Sequence, residues 1–318
     1  MPGLNNRVYF ACLGISKCSD STILQHIISA DLSVDININS VLPQGSTKTV
    51  GTYADTPNAQ FNYTEYLQPF VPIAQEYGIN NFVGFKMAVG LDGTTSETYG
   101  GLFSGSSTLL SGVQGSPPYA AIRVSLANLT SISYNFPVNG FFTTTRSFSG
   151  YSKKSISPPS SFTESEANPE VRRRHHFTGT LPNGISNNAI QNIDVTYTIN
   201  RTPVPEFATR KPYASYINFP IETNVTFELL TQKLDTYNLD AMQTACKSLS
   251  SLKEDIVISV CDCGSITIKK AFLTSIRYSG AEANSNSNQT ISVTYTSYEP
   301  IDDIEPVIIV PDEDPCGQ

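Results

Sequence analysis

The hexapeptide Leu129-Thr130-Ser131-Ile132-Ser133-Tyr134 returns 144 positions later as Leu273-Thr274-Ser275-Ile276-Arg277-Tyr278, with five of its six residues unchanged. A second match stands upstream of the first. Leu32, Val34, Ile36 and Ile38 map onto Ile193, Val195, Tyr197 and Ile199 at an offset of 161, and Asn39 maps onto Asn200. Two matches in the same order mark an internal duplication, so the chain is expected to fold as two copies of one unit. The two offsets differ by 17 residues, which predicts an insertion in the first copy. Residues 90–118, with seven glycines between Gly90 and Gly115 among many Ser and Thr, have the composition of that loop. Neither a Walker pattern nor G-x-G-x-x-G is present there to make it a phosphate cradle.

The matched stretches 32–39 and 193–200 alternate apolar and polar residues strictly, the pattern of strands with one buried and one wet face. Composition agrees. The 37 Ser, 31 Thr and 23 Asn displace both apolar (39%) and charged (15%) residues, as in chains of short strands and turns. Helical periodicity is confined to Leu234–Leu252, with acids early and lysines late, and to the stretch after Pro69 and Pro72. The expected fold is therefore mainly β (β-rich α+β): two tandem barrel or sandwich domains with about one helix each. The predicted layout is an N-terminal arm (1–26), domain 1 (27–150) and a Ser/Pro-rich basic linker (151–183). Domain 2 (184–298) and an acidic C-terminal arm (299–318) follow.

Several function classes are not expected. No run of 18 apolar residues is present, so no membrane-spanning helix is predicted, and the opening Met1-Pro2-Gly3-Leu4-Asn5-Asn6 predicts no secretory signal. Cys12, Cys18, Cys246, Cys261, Cys263 and Cys316 form no C-x-x-C pair, and His26, His175 and His176 lie far from them, so no metal site is expected. Cys261-Asp262-Cys263 comes nearest, and on a strand its thiols would share a face. G-x-S-x-G, H-E-x-x-H and the deaminase signature are absent. No catalytic residue, no cofactor and no enzymatic activity are predicted.

Charge is distributed unevenly. Of 28 acidic residues, seven fall in Glu299–Gln318, where no basic residue occurs, so most of the net charge of −8 belongs to the C-terminal arm. Within that arm Val307, Ile308, Ile309 and Val310 lie between Pro306 and Pro311. Four consecutive β-branched residues predict a strand added to a neighbouring subunit's sheet edge. In the linker, Arg172, Arg173 and Arg174 precede His175 and His176. With no aromatic residues interleaved, the cluster favours an inter-subunit contact over nucleic-acid binding.

The opening Asn6–Cys12 followed by Ile28 to Asn39 resembles the start of tail tube proteins of tailed bacteriophages, and the order strand pair, helix, further strands is similar to the tube fold. The resemblance covers the whole chain as two tube domains in tandem. It implies a virion structural protein whose sheets join those of neighbours into a barrel lining the channel through which phage double-stranded DNA is ejected, without sequence recognition. Ser33, Asp35 and Asn37 in the first copy, and Asp194, Thr196 and Thr198 in the second, would face that lumen. Six tube domains per ring is usual in the family, so a tandem chain would form homotrimeric rings with pseudo-sixfold symmetry. The resemblance further implies assembly in the bacterial cytoplasm, and contacts with sheath, baseplate or terminator proteins. Two rival expectations are another virion role (baseplate or neck ring, capsid decoration) and a two-domain β-sandwich binding module. Tube subunits should polymerise into hollow rods, a neck piece should stop at one ring, and a binding module should stay monomeric.

Overall fold

Alternating sequence becomes strand where one face can be buried while the other keeps contact with water. The computed structural model describes residues 9–17, 27–35, 38–41, 51–54, 58–92, 120–156, 171–182, 185, 187–207, 212–230, 253–279, 290–299, 301 and 303–309. The first half runs β1 (Tyr9–Lys17), β2 (Ile27–Asp35), β3 (Ile38–Val41), β4 (Gly51–Ala54), β5 (Asn58–Tyr66), β6 (Val83–Asp92), β7 (Ala120–Pro137) and β8 (Thr143–Ile156). The second runs β9 (Phe177–Thr180), β10 (Ile190–Thr198), β11 (Arg201–Pro205), β12 (Pro212–Ile217), β13 (Glu222–Leu230), β14 (Glu254–Val260), β15 (Gly264–Ser279) and β16 (Thr290–Ser297). A short β17 (Val307–Ile309) follows. Strands β1, β9 and β17 lie in the segments read as N-terminal arm, linker and C-terminal arm, and β8 runs on into the linker.

The two halves repeat one topology. The first lies in the order β1-β6-β7-β8-β5-β2 and the second in the order β9-β14-β15-β16-β13-β10, with β3-β4 and β11-β12 as equivalent side hairpins. Pairing of β7 with β10 joins the halves into one 12-stranded sheet. All described pairings are antiparallel. The sheet stays open, with β2 and β9 at the two ends of its path, so the fold is mainly β and sandwich-like, and no barrel closes among the described residues. The helix expected after Pro72 is a single 3-10 turn, Ile73–Gln75. It ends because Glu76 returns to extended backbone and Gly78 turns left-handed at φ 85°. The other described helices are also three-residue 3-10 turns, Arg174–His176 and Asn187–Ala189. The helix predicted at Leu234–Leu252 lies outside the described residues.

Irregularities of the ladder repeat as faithfully as the strands. Between β2 and β5 the register slips at Ile27/Ser29, and between β10 and β13 at Ile190/Asn192. Slips at Val83/Phe85 and Glu254/Ile256, and at Leu129/Ser131 and Leu273/Ser275, form two further matched pairs. Leu126 and Lys270, 144 positions apart, both take a positive φ (53° and 51°), a conformation costly enough for non-glycine residues that its repetition marks a shared backbone. Bulges are features of a strand's design and are kept when a unit is duplicated.

These landmarks correct the sequence alignment. Ile28 and Gln191 occupy the same bulge, so β2 maps onto β10 at an offset of 163, not 161. A shift of two residues leaves every side chain on its own face, which is why alternation alone did not separate the alternatives. The offset is 171 for β6 on β14 and falls to 144 for β7 on β15, so the first half has 27 more residues between these strands. This is where the glycine-rich insertion was predicted; residues 93–118 of it lie outside the described residues.

One dry face serves both halves. Phe61, Phe85, Leu129 and Phe148 of the first half share a single core cluster with Val195, Phe227, Ile258 and Val293 of the second. Phe70 lies over the join, its N–H donating to Cys263 O (2.8 Å) and its ring edge-on to Tyr134 (5.4 Å). The charges buried in this core are paired. Arg146 donates from Nε and Nη2 to Glu76 (3.1 Å each) and from Nη1 to Glu65.

Candidate channel face and assembly edges

The opposite face of the sheet is built almost wholly of hydroxyl and amide side chains. Strand period two places them there, because each alternate residue of β5, β8, β10, β13 and β16 is committed to the core. They tie strand to strand. Thr64 and Thr145 hydroxyls lie 2.9 Å apart, Ser133 and Thr196 3.0 Å, and Thr226 and Thr294 3.1 Å. Ser149 Oγ donates to Asn58 Oδ1 (2.7 Å), and Thr296 Oγ1 to Asn224 Oδ1 (2.7 Å). Such ladders stabilise neighbouring strands by a few tenths of a kcal/mol, roughly, per pair. Across β2, β5, Ser131–Asn135 of β7, Thr143–Ser149 of β8, β10, β13 and β16, the charged residues of this face are Asp31, Asp35, Asp194, Glu222 and Glu228. No Lys or Arg of those segments lies on this face, Arg146 being turned into the core.

The described residues among those picked as lumen-facing fall on this face. Ser33 and Asp35 are exposed on β2, and Thr196 and Thr198 are half-buried on β10. Asn37 lies outside the described residues. With the corrected offset the structural counterparts of Asp194, Thr196 and Thr198 are Asp31, Ser33 and Asp35. Asp31 was missed because the alignment was two residues out of step.

Asp194 is half-buried where β10 meets β7, accepting hydrogen bonds from Asn135 Nδ2 (2.5 Å) and Asn192 Nδ2 (2.8 Å). Burial raises its carboxyl above the usual carboxylate range, and the Asn135 hydrogen bond opposes that rise. A carboxyl whose folded pKa is raised binds its proton more tightly in the folded state. Its ionisation therefore costs stability as pH rises through the carboxylate range, and the cost is absent when pH is low enough to protonate both states. Asp194→Asn is expected to raise the urea midpoint at neutral pH. The gain should shrink as pH falls through the carboxylate range; a gain independent of pH would contradict this account.

The basic cluster sits beside the β7–β8 hairpin. Arg172 is half-buried and its carbonyl accepts the Phe142 N–H (2.9 Å). Arg173 lies 4.2 Å above the Phe141 ring, a cation–π contact with an aromatic distant in sequence. Arg174 is exposed, and the His175 and His176 rings are 3.9 Å apart. The C-terminal segment does add a strand to a sheet edge, but the edge belongs to its own chain. Val307, Ile308 and Ile309 pair with Tyr216, Ser215 and Ala214 of β12. Ile308 is buried with Phe82 and Leu126, and Glu305 N–H donates to Asn80 Oδ1 (2.8 Å), so the segment fastens the β11–β12 hairpin to the first half. Val310 lies outside the described residues.

Cys261 and Cys263 do not share a face. They form the tight turn between β14 and β15, with Asp262 at φ 62° and Gly264 at φ 90°, which leaves Cys261 exposed and turns Cys263 inward. Among the described residues no three His, Cys, Asp or Glu cluster closely enough to hold a metal ion. No helix among them is long and apolar enough to cross a membrane. Comparison of the chain with family models and with curated proteins finds no match.

Proposed function

We propose that the chain is a virion structural protein of the tail-tube type, a subunit that closes into rings and stacks to line a channel for phage DNA. One observation carries this reading: two half-sheets of identical topology are joined edge to edge in a sheet that remains open, dry on one face and lined with hydroxyls and carboxylates on the other. A repeated unit already joined once to its own copy has the geometry for being joined again, and closure into a ring removes exposed edges. The polar face suits a lumen. Its carboxylates repel the phosphate backbone without binding it, and at physiological salt that repulsion fades within about 8 Å, which lets a duplex slide. Sheath, baseplate or terminator proteins would then meet the ends or outside of the tube.

Negative-stain electron microscopy of the purified chain tests the reading. Hollow rods built of rings of three chains are expected. Single rings that never stack would support a baseplate or neck role, and a chain that stays monomeric at all concentrations would overturn the ring reading.

A further inference from the structure

We infer that successive copies of this chain join through one strand pair, β15 of one copy with β2 of the next, antiparallel and in the register of the β7–β10 pair within the chain. The inference rests on the ring-forming reading for its occupant, a second copy; the edges and the register come from the repeat.

The first half shows what the junction looks like when made. Strand β8 takes one edge of β7 along most of its length, so β6 and β10 share the other edge, β6 over its first part and β10 over Ser131–Pro137. In the second half β14 and β16 pair with β15 as β6 and β8 do with β7. No strand among the described residues occupies the β10 position along Ser275–Ser279. At the far end of the sheet β2 pairs with β5 as β10 does with β13, and no described strand covers its second edge. Among the described residues, one half of a junction is open at β15 and the other half at β2.

Burial differs between the copies where these edges lie. Tyr134 is 4% exposed and its repeat Tyr278 is 59% exposed. Ile132 is buried while Ile276 is only half-buried. On the other partner, Ile193 and Val195 are buried, whereas their counterparts Ala30 and Leu32 are half-buried. Apolar side chains at equivalent positions of the open edges lack the cover that β7 and β10 give each other.

Carrying the in-chain register over at offsets of 163 and 144 sets Leu32 opposite Tyr278, Ser33 opposite Arg277 and Val34 opposite Ile276. The inner face receives apolar pairs. On the outer face Arg277 would stand opposite Ser33, diagonal to both Asp31 and Asp35, within reach of a long side chain. Here the repeats have diverged in a complementary way. Ser133 and Thr198 of the made junction are replaced at the open edges by Arg277 and Asp35. Pairing β2 with another β2 about Ser33 would set Asp31 against Asp35, so the charges favour head-to-tail joining over self-pairing. Head-to-tail contacts give rings or filaments rather than two-fold dimers.

Paired cysteines in the full chain test the junction. Because the equivalent Ser133 and Thr196 hydroxyl oxygens are 3.0 Å apart, thiols at Ser33→Cys and Arg277→Cys fall within disulfide reach. Mild oxidation of the double variant is expected to give covalent oligomers beyond the background of wild type, of each single variant and of the off-register pair Ser33→Cys with Ser275→Cys. These controls account for native thiols such as the exposed Cys261. Arg277→Asp should raise the concentration needed for assembly by about tenfold without moving the melting temperature of the dilute chain, and adding Asp31→Arg with Asp35→Arg should recover it. Rings or rods without the specific cross-link would overturn this junction and leave the ring reading intact. Specific cross-links in open chains that never form rings would support the junction and refute the ring.

Discussion

Arg146→Ala is expected to lower folding stability by about 3–5 kcal/mol. The substitution leaves Glu65 and Glu76 buried with their shared partner gone. Both acids are over nine-tenths buried, so water does not substitute for the guanidinium. The second half shows the same site built differently. At the equivalent positions of β13 and β16, Tyr63, Glu65 and Arg146 are replaced by Phe227, Leu229 and Val293, all buried. An apolar solution therefore exists for this backbone, and a packed apolar set often matches or exceeds a buried ion cluster. The combination Tyr63→Phe, Glu65→Leu, Glu76→Gln and Arg146→Val is expected to recover most of the loss. Urea midpoints of the wild type, the single variant and the combination make the comparison. An Arg146→Ala loss under about 1 kcal/mol would mean that the cluster is relieved by water or rearrangement.

Phe85→Ala should cost a similar amount, about 3–5 kcal/mol, for a different reason. Its ring lies 4.7 Å from those of Phe61 and Phe148, 5.6 Å from Tyr77 and 6.1 Å from Tyr63. Truncation opens a void among four rings that belong to two strands, β5 and β8, and the segment between β5 and β6. That segment has little room to collapse inward. Gly78 already brings the backbone so close that a Cβ there would meet Phe148 at 3.1 Å and the Leu129 nitrogen at 3.2 Å. Phe85→Leu, which refills part of the volume, should lose markedly less. Equal losses for the two variants, read from denaturant midpoints, would show that ring packing is not what holds β6 in place.

Much of the fold is legible along the chain because its signals are local. Alternation identifies β2 over 32–35 and β10 over 193–198 and tells which side chains turn inward, although the expected strand 32–39 runs past the end of β2 at Asp35 into β3, and the Leu-Thr-Ser-Ile motif exposes the duplication. The aromatic under Arg173 was not legible, since Phe141 is 32 positions away and reaches it only through the β7–β8 hairpin. Nor was the role of the C-terminal segment. Four β-branched residues declare a strand but do not name its partner, and β12 is nearly a hundred residues upstream.

The identity and facing of the alternating strands and the existence of two copies followed from the sequence by itself, because side-chain direction repeats every two residues whatever the strand pairs with. Register and neighbours were decided only in three dimensions. A slip of two residues preserves every face, so the offset of 161 and the true 163 look alike until the bulge at Ile28 and Gln191 distinguishes them. The same holds for the sheet edges. Tyr134 and Tyr278 stand in nearly identical sequence, yet one is buried and the other exposed, because burial is conferred by a strand that arrives from elsewhere.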